Sequence, residues 1–222
     1  MFCGQFWPRI GGAERQALGL SRALMRRGCQ VEVLTPQLDN SWPLRDEIEG
    51  ININRFPFVD LTKRLRGVRG LGLLNTLVMG MQVRQAVGRH INQFDILHAH
   101  IAWPMVAYAG KAAQVRHKKI ICKVAAGGRA FDLDTLRQTS PLGSTLSRSL
   151  LVMVDAWIAI SKEIRSNIEK ELSQTSRIVS IPNGVEIPSR LELPGRNVAR
   201  RFLYLGRLAR TAYKDYKTLL RA

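Results

Sequence analysis

Two adjacent glycines, Gly11 and Gly12, precede a stretch with helical periodicity, and that arrangement can bind an anion. Glycine lets the backbone approach a ligand closely, and the unpaired N–H groups of a helix's first turn favour negative charge such as a phosphate. The helix is indicated by apolar residues expected on one buried face: Ala13, Ala17, Leu20 and Leu24. Gly28 is expected to end the helix. The charged residues of the helix are expected to face solvent: Glu14, Arg15, Arg22, Arg26 and Arg27. A tight strand-to-helix turn with no ligand explains the two glycines equally well.

Two histidines, His98 and His100, lie two residues apart at the end of the apolar stretch 95–100. On a strand they point to the same side and could ligate a metal, but the nearby sequence offers no third ligand. Lining a cleft, or hydrogen bonding within the fold, are the alternatives. The pattern supports no catalytic role for either residue.

A second glycine pair, in Gly127-Gly128-Arg129, follows the buried stretch 119–124. In open α/β sheets ligands bind at the carboxyl ends of strands, so this loop is a candidate binding element. Two further positions follow predicted strands in the same way. Ser161 is expected to cap a helix, and Asn183 lies in the turn signal Pro182-Asn183-Gly184.

Short apolar runs alternate with helical patterns along the chain, which is typical of βαβ units and a parallel sheet. Strands are expected at about 1–5, 31–35, 51–56, 95–100, 119–124, 155–160 and 177–181. Helices are expected to begin at 13, at 71, at 103 and after Ser161. We expect 36–42 to be a polar loop and 141–149 to be polar and mobile.

The predicted helix 71–87 is unusually apolar for a surface helix. Its stripe comprises Leu71, Leu74, Val78 and Met81, widened by Leu73, Leu77 and Val83. Arginines flank it on both sides: Arg64, Arg66, Arg69, Arg84 and Arg89. The helix could lie in the headgroup region of an anionic membrane, or it could be a core helix with snorkelling arginines.

The chain of 222 residues carries 34 Lys and Arg against 17 Asp and Glu, a formal net charge of +17. Such a surface attracts phosphates, nucleic acid or anionic lipid. The sequence has no helix-turn-helix, RNA-recognition or zinc-finger signature, so we expect no nucleic-acid partner. A basic module that binds a polyanion without chemistry is the alternative function.

Three scattered cysteines, Cys3, Cys29 and Cys122, form no disulfide or zinc pattern and indicate a reducing compartment. The first residues lack the basic segment and apolar run of an export signal, and no apolar stretch is long enough to span a membrane. These features predict a cytoplasmic protein, with a peripheral position on the membrane face as the alternative.

Six segments, in order along nearly the whole chain, carry a family resemblance. They are Gly11 to Arg15, Arg27 to Val31, Asp95 to His100, Ile158 to Ser161, Ile181 to Val185, and Leu205 to Leu208 followed by Lys214. With these segments the sequence resembles the glycosyltransferase family 4 enzymes of the GT-B fold, which are retaining, nucleotide-sugar-dependent transferases. The resemblance implies a Rossmann-like parallel sheet with helices on both faces, followed by a second Rossmann-like domain.

The resemblance also implies a division of labour along the chain. Residues 1–185 would be the acceptor-binding domain, 186–200 a linker, and 201–222 the start of the donor-binding domain. Gly11 and Gly12 would hold the donor diphosphate, while Arg207 and Lys214 would stabilise the leaving nucleoside diphosphate without a metal. Candidates for lining the cleft or the acceptor site are His98, His100, Gly128, Arg129, Ser161 and Asn183.

The predicted function is hexosyl transfer from a nucleotide sugar to a glycan or lipid-linked acceptor. The sequence departs from the family pattern where the chain ends, at Ala222, before the family's pair of glutamates. Ala125-Ala126 stands where many relatives have a histidine, and Asp215 replaces a common glycine. We therefore expect a fragment that is inactive alone, and the catalytic residues stay open.

Overall fold

A computed structural model describes residues 1–65, 68, 70–172 and 177–185. Met1–Gly184 form one compact unit, and the second unit, Val185–Ala222, lies almost wholly outside the described residues. The predicted linker 186–200 and the predicted second domain 201–222 therefore lie outside them as well.

The described residues form an eight-stranded sheet. Its strands are β1 (Phe2–Cys3), β2 (Glu32–Gln37), β3 (Arg45–Ile48), β4 (Ile51–Pro57), β5 (Ile96–His100), β6 (Lys119–Val124), β7 (Ala156–Ala159) and β8 (Arg177–Ser180). The strand order is β3-β4-β2-β1-β5-β6-β7-β8. Only β3 runs antiparallel to its neighbour. The predicted parallel α/β sheet is confirmed.

Helices cover both faces of this sheet. They are α1 (Gly12–Met25), α2 (Leu61–Arg64), α3 (Leu71–His90), α4 (Pro104–Gln114), α5 (Asp132–Thr139), α6 (Gly143–Met153) and α7 (Lys162–Glu171). Ala17 of α1 packs with Cys3 and Val33 on one face. Helices α3, α4 and α6 contribute to the larger core, which includes Phe2 and Trp157. The unit Met1–Gly184 is therefore a three-layer domain.

The hairpin formed by β3 and β4 was not predicted. Its two-residue turn, Glu49-Gly50, has positive φ at both positions, 52° and 79°. A turn of this kind matches the twist of the flanking strands. Arg55 of β4 is fully buried here, pairs with Asp46 at 2.9 Å, and donates to the carbonyls of Pro43 and Trp7, each at 2.7 Å.

Several predicted details are wrong. The segment 141–149 is mostly helix α6, because Leu146, Leu150 and Met153 return to one buried face at helical spacing. Strand β2 continues through Pro36 to Gln37, into the predicted loop. The N–H of Leu34 donates to the carbonyl of Met1, on the side of β2 that faces β1. The ring nitrogen of Pro36 points to the same side, but β1 ends at Cys3, so a proline is tolerated at this position of β2.

The faces of two helices also differ from the prediction. In α1 the buried residues are Glu14, Ala17 and Ser21, so Glu14 does not face solvent. In α3 the core side is formed by Thr76, Met79, Gly80, Val83, Ala86 and Val87. Most of the predicted apolar stripe of α3 therefore lies on the exposed side. Gly80 is needed at the α3–α4 contact, since a Cβ there would lie 2.6 Å from the Tyr108 ring.

Candidate functional site at the carboxyl edge of the sheet

The loops that follow the parallel strands meet at one edge of the sheet. From β1 the chain first builds the strands on one side, β2 and β4, and then crosses to β5 on the other. The strand order thus reverses between β1 and β5, and open α/β sheets bind ligands in the crevice at such a switch point. Most of the predicted site residues that are described follow β1, β6, β7 and β8 at this edge, whereas His98 and His100 lie within β5, with His100 at its carboxyl end.

Gly11 and Gly12 lie at the start of α1, as predicted. The N–H of Gly11 donates to the Oε2 carboxylate oxygen of Glu14 at 2.7 Å, and Glu14 is buried. A Cβ on Gly11 would lie 2.7 Å from that oxygen, so glycine leaves room for the carboxylate. Glu14 thus caps its own helix with a negative charge. A phosphate at this turn would have to share the position with Glu14, and Gly12, which is open, is the freer of the two glycines.

His98 and His100 stack on each other with ring centroids 4.9 Å apart. The Nε2 atom of each ring is buried and has no hydrogen-bond partner in the described part of the chain. Burial is the main cause that lowers the pKa of His98 from 6.5 to about 4 and that of His100 to about 2. Both rings are therefore neutral at neutral pH, and their free nitrogens face the α1 side of the sheet.

Lys123 of β6 lies beside His100 in the sheet register, and Cys3 of β1 lies on its other side. Lateral neighbours in a sheet point to the same face, so the three side chains form one row. Lys123 is buried, and burial lowers its pKa. Its charge further lowers the pKa of both histidines. The row places the Lys123 amine, the neutral His100 ring and the Cys3 thiol side by side near the carboxyl edge.

Asp132, at the start of α5, holds two of the edge loops together. Its carboxylate accepts a hydrogen bond from the N–H of Ala125 at 2.8 Å, and it also accepts from the N–H groups of Ala102 and Ala126. Burial raises the pKa of Asp132 from 3.8 to about 6, while these hydrogen bonds oppose the shift. One carboxylate therefore joins the loop after β5 to the loop after β6.

The loop after β6 also packs against the start of α7. A Cβ on Gly127 would lie 3.0 Å from Ile164, and Gly128 has a φ of +56°. Ser161 caps α7 as predicted, accepting from the N–H of Ile164 at 3.2 Å. Gly128, Arg129 and Ser161 are thus brought together.

Asn183 lies in an exposed segment after β8. The next residue, Gly184, accepts a hydrogen bond from the Nε2 group of Gln16 at 3.1 Å. This bond brings the Asn183 turn to α1, near the first glycine pair. Arg207 and Lys214 lie outside the described residues, so their predicted phosphate contacts stay a prediction.

Sequence reasoning missed Asp132, Lys123 and Glu14 as parts of this site. Glu14 was readable only as a first-turn acid of a helix, no helix was predicted at Asp132, and Lys123 interrupts an otherwise apolar strand. A buried lysine inside such a run is the one signal that could have been used. Among the described residues no three His, Cys, Asp or Glu side chains group as metal ligands.

The described residues thus form an open α/β domain whose strand order reverses between β1 and β5. The family model Glycosyltransferase Family 4 matches residues 10–187. The chain therefore belongs to glycosyltransferase family 4. No curated protein sequence matches it significantly.

Solved structures of GT-B glycosyltransferases share the fold. Sucrose-phosphate synthase from Thermosynechococcus elongatus has a TM-score of 0.52 at 14% identity, over 78% of this chain and 42% of that one. Trehalose-6-phosphate synthase from Escherichia coli, bound with UDP-2-fluoro glucose, has a TM-score of 0.53 at 12% identity, over 83% of this chain and 48% of that one. Anabaena HepE in complex with UDP has a TM-score of 0.52 at 13% identity, over 83% of this chain and 44% of that one. The chain spans less than half the length of each of these proteins.

Proposed function

We propose that this chain is the acceptor-side part of a retaining, nucleotide-sugar-dependent hexosyltransferase whose acceptor is a glycan or a lipid-linked sugar. The observation that supports it is the gathering of Gly12, His100, Gly128 and Asn183 loops at the switch point of a family 4 domain. Three solved structures of this fold, from two proteins, are described with UDP, UDP-glucose or a UDP-glucose analogue. The proposed co-substrate is accordingly a nucleoside diphosphate sugar.

The proposed chemistry places charge where the sugar–phosphate bond breaks. Negative charge builds on the leaving diphosphate, and N–H groups at the start of α1 together with Arg207 and Lys214 would stabilise it. Those cations take the place that a metal has in other transferases, so no metal cofactor is proposed. Glu14 would keep the first turn of α1 capped until the phosphate arrives.

The test is sugar transfer by the longer protein. We expect the reading frame to continue beyond Ala222 into a pair of glutamates eight residues apart. The protein encoded by that frame should then release UDP or GDP from a sugar nucleotide when a glycan or lipid-linked acceptor is present, with retention at the anomeric carbon by NMR. The chain 1–222 alone is the control and should give no transfer. Transfer by 1–222, or no release by the longer protein with any sugar nucleotide, would contradict the proposal.

The exposed side of α3 supports a second part of the proposal, an anionic membrane as the surface where a lipid-linked acceptor is met. Leu73, Leu74 and Leu77 are each about half exposed, and Met81 is 73% exposed. One turn later the same side of the helix becomes polar, at Arg84. None of the helices in the described residues combines the length and apolarity needed to span a bilayer. An apolar stripe confined to the first turns of a helix suits insertion at the headgroup level instead.

Positive charge borders this stripe. Helix α2 packs beside the start of α3, where the N–H of Leu61 donates to Asn75 at 2.7 Å. It carries Lys63 and Arg64, both exposed, and Leu65 follows with 48% exposure. Basic residues near a membrane surface each contribute about 1 kcal/mol of attraction to anionic lipid. We propose that α2 and the first half of α3 form the membrane-facing surface.

Vesicle co-sedimentation tests this surface. The chain should bind vesicles of phosphatidylglycerol and phosphatidylcholine, and bind pure phosphatidylcholine far less. Leu77→Gln with Met81→Gln should weaken binding about tenfold or more, since each removes apolar area from the bilayer. Arg64→Gln should weaken it by about fivefold. Val152→Gln is the matched control, since Val152 is an apolar position on α6 that is 83% exposed. Equal binding by all variants would remove the membrane from the proposal.

A further inference from the structure

Two of the four tryptophans are exposed at the switch point. Trp157 is fully buried in the core, whereas Trp7 is 37% exposed and Trp103 is 44% exposed. Trp7 lies in the loop after β1, and Trp103 ends the loop after β5 as the N-cap residue of α4. Strands β1 and β5 are neighbours, so the two loops border the crevice where the strand order reverses. Leaving two large indoles in water at this one place forgoes apolar burial and calls for a reason.

The six-membered ring of Trp103 lies close to Gly4. A Cβ at Gly4 would lie 3.2 Å from the Cε3 atom and 3.7 Å from the Cζ3 atom of that ring. Any side chain at position 4 would therefore push the indole away. Glycine at position 4 therefore leaves room for the Trp103 ring, which remains 44% exposed.

A strained turn places Trp103 in this position. Ile101 has a φ of +71°, which is rare and costly for a β-branched residue. The N–H of Trp103 donates to the carbonyl of Ile101 at 3.0 Å, closing a three-residue turn. The N–H of Ile101 in turn donates to the backbone carbonyl of Lys123 in β6 at 3.0 Å. Strain of this kind is retained where the surrounding structure fixes a functional position.

Trp7 is fixed by a different contact. Its carbonyl accepts a hydrogen bond from the buried Arg55 guanidinium at 2.7 Å, so the loop after β1 is tied to β4. Both indoles are therefore carried on restrained backbone, and they need little ordering when a ligand arrives. Polar groups stand in the same loops, with Arg9 exposed after Trp7.

We propose that Trp7 and Trp103 form a stacking platform for a pyranose ring of the acceptor. This inference rests on the proposed function and names the part of the acceptor that the chain recognises. The axial C–H groups on one face of a pyranose ring carry partial positive charge and match the negative face of an indole. The hydroxyl groups at the ring edge would be left to polar groups of the surrounding loops. The two tryptophans would recognise the shape of the sugar ring, and the loops would distinguish the configuration of its hydroxyl groups.

Saturation-transfer NMR on the chain 1–222 tests the platform. Protein aromatic protons are irradiated in the presence of methyl glucopyranoside or methyl mannopyranoside, with D-mannitol as the open-chain polyol control. Saturation should reach the C–H protons on one face of at least one pyranoside, and mannitol should receive little. In Trp103→Ala and Trp7→Ala the signal should fall at least about fivefold, and Trp103→Phe should keep part of it because an aromatic face remains.

Trp42→Phe is the matched control, since Trp42 is a half-buried tryptophan over Arg55 and should leave the signal unchanged. Far-ultraviolet circular dichroism of each variant checks that it is folded. Saturation that is absent for both pyranosides, equal for mannitol, or unchanged in folded Trp7→Ala and Trp103→Ala overturns the platform.

The transferase and the platform can fail separately. If the longer protein transfers sugar and Trp103→Ala leaves its acceptor KM unchanged, the platform is wrong and the transferase stands. If pyranosides receive saturation through both tryptophans while the longer protein releases no nucleotide, the platform stands and the transferase is wrong.

Discussion

Acid should destabilise this domain through the stacked pair His98 and His100. Both rings are held neutral, with pKa values of about 4 and about 2 against an ordinary 6.5. As the pH falls below about 6.5, the unfolded chain takes up protons that the folded chain refuses, so the free energy of unfolding falls. Their stabilisation is fully present above pH 6.5 and is lost towards acid pH.

The size of the effect follows from these values. Between pH 7 and pH 4.5 each histidine should remove about 2.5 kcal/mol, or about 5 kcal/mol for the pair. Asp132 acts in the opposite direction, because its pKa is raised to about 6 and the folded state then takes up a proton first. It should return about 2 kcal/mol over the same range, leaving a net loss of about 3 kcal/mol. The surface carboxylates whose pKa values are lowered titrate mainly below this range.

Urea unfolding followed by circular dichroism at a series of pH values measures how the free energy of unfolding changes with pH. Between pH 7 and pH 4.5, His100→Gln should reduce the loss of unfolding free energy by about 2.5 kcal/mol, and Asp132→Asn should increase that loss by about 2 kcal/mol. His117→Asn is the matched control, since His117 is exposed and its φ of 56° suits asparagine. A His100→Gln slope equal to that of the parent chain would refute the reasoning, whatever the variant's stability at pH 7.

Three further perturbations have defined outcomes. Arg55→Met should lower the free energy of unfolding by about 2–4 kcal/mol, because the buried carbonyls of Pro43 and Trp7 lose their donor. Arg45→Met is the control and should have little effect, since Arg45 is exposed. Equal losses for the two variants in urea titrations would contradict this reasoning. Gly80→Ala should lower the free energy of unfolding by about 1–2 kcal/mol, because the new Cβ would press on the ring of Tyr108 in α4. Gly88→Ala, on the open side of the same helix, should raise it by about 0.5–1 kcal/mol. An increase at both positions would show that the two helices can separate freely. Cys29 should react with a thiol reagent at once and the other two cysteines only on unfolding, because they are buried; two or more fast thiols in the native chain would argue against this packing.

The order of strands and helices was largely predictable because apolar runs and helical stripes alternate along the chain. Periodicity failed where a helix is apolar on both sides. In α3 it selected Leu74 and Met81, yet the core takes Met79 and Val87, and sequence alone does not say which side meets the sheet. It also failed at 141–149, where polar residues on the exposed side of α6 hid an apolar face.

The site was predictable as a set of loops and much less so as a set of contacts. Glycine and turn signals after each strand marked the carboxyl edge correctly, since any parallel sheet gathers such loops there. Glu14 was placed on the solvent side because its charge suggested exposure, but its carboxylate caps the N–H of Gly11 and is buried. Asp132 gave no signal, because helix α5 was not predicted and the three donors to the Asp132 carboxylate come from two distant loops.

The carboxylate of Asp132 limits how the loops after β5 and β6 can change. Asp132 serves the N–H groups of Ala102 and Ala125 at once, so a new shape in either loop leaves a buried carboxylate short of a donor. Directed evolution that randomises the Ala102 loop alone should therefore return mostly unstable proteins. Libraries that exchange both loops together, with Asp132 retained as their common anchor, should give stable variants with altered acceptor preference. Divergence among relatives should then show these two loops changing as one module.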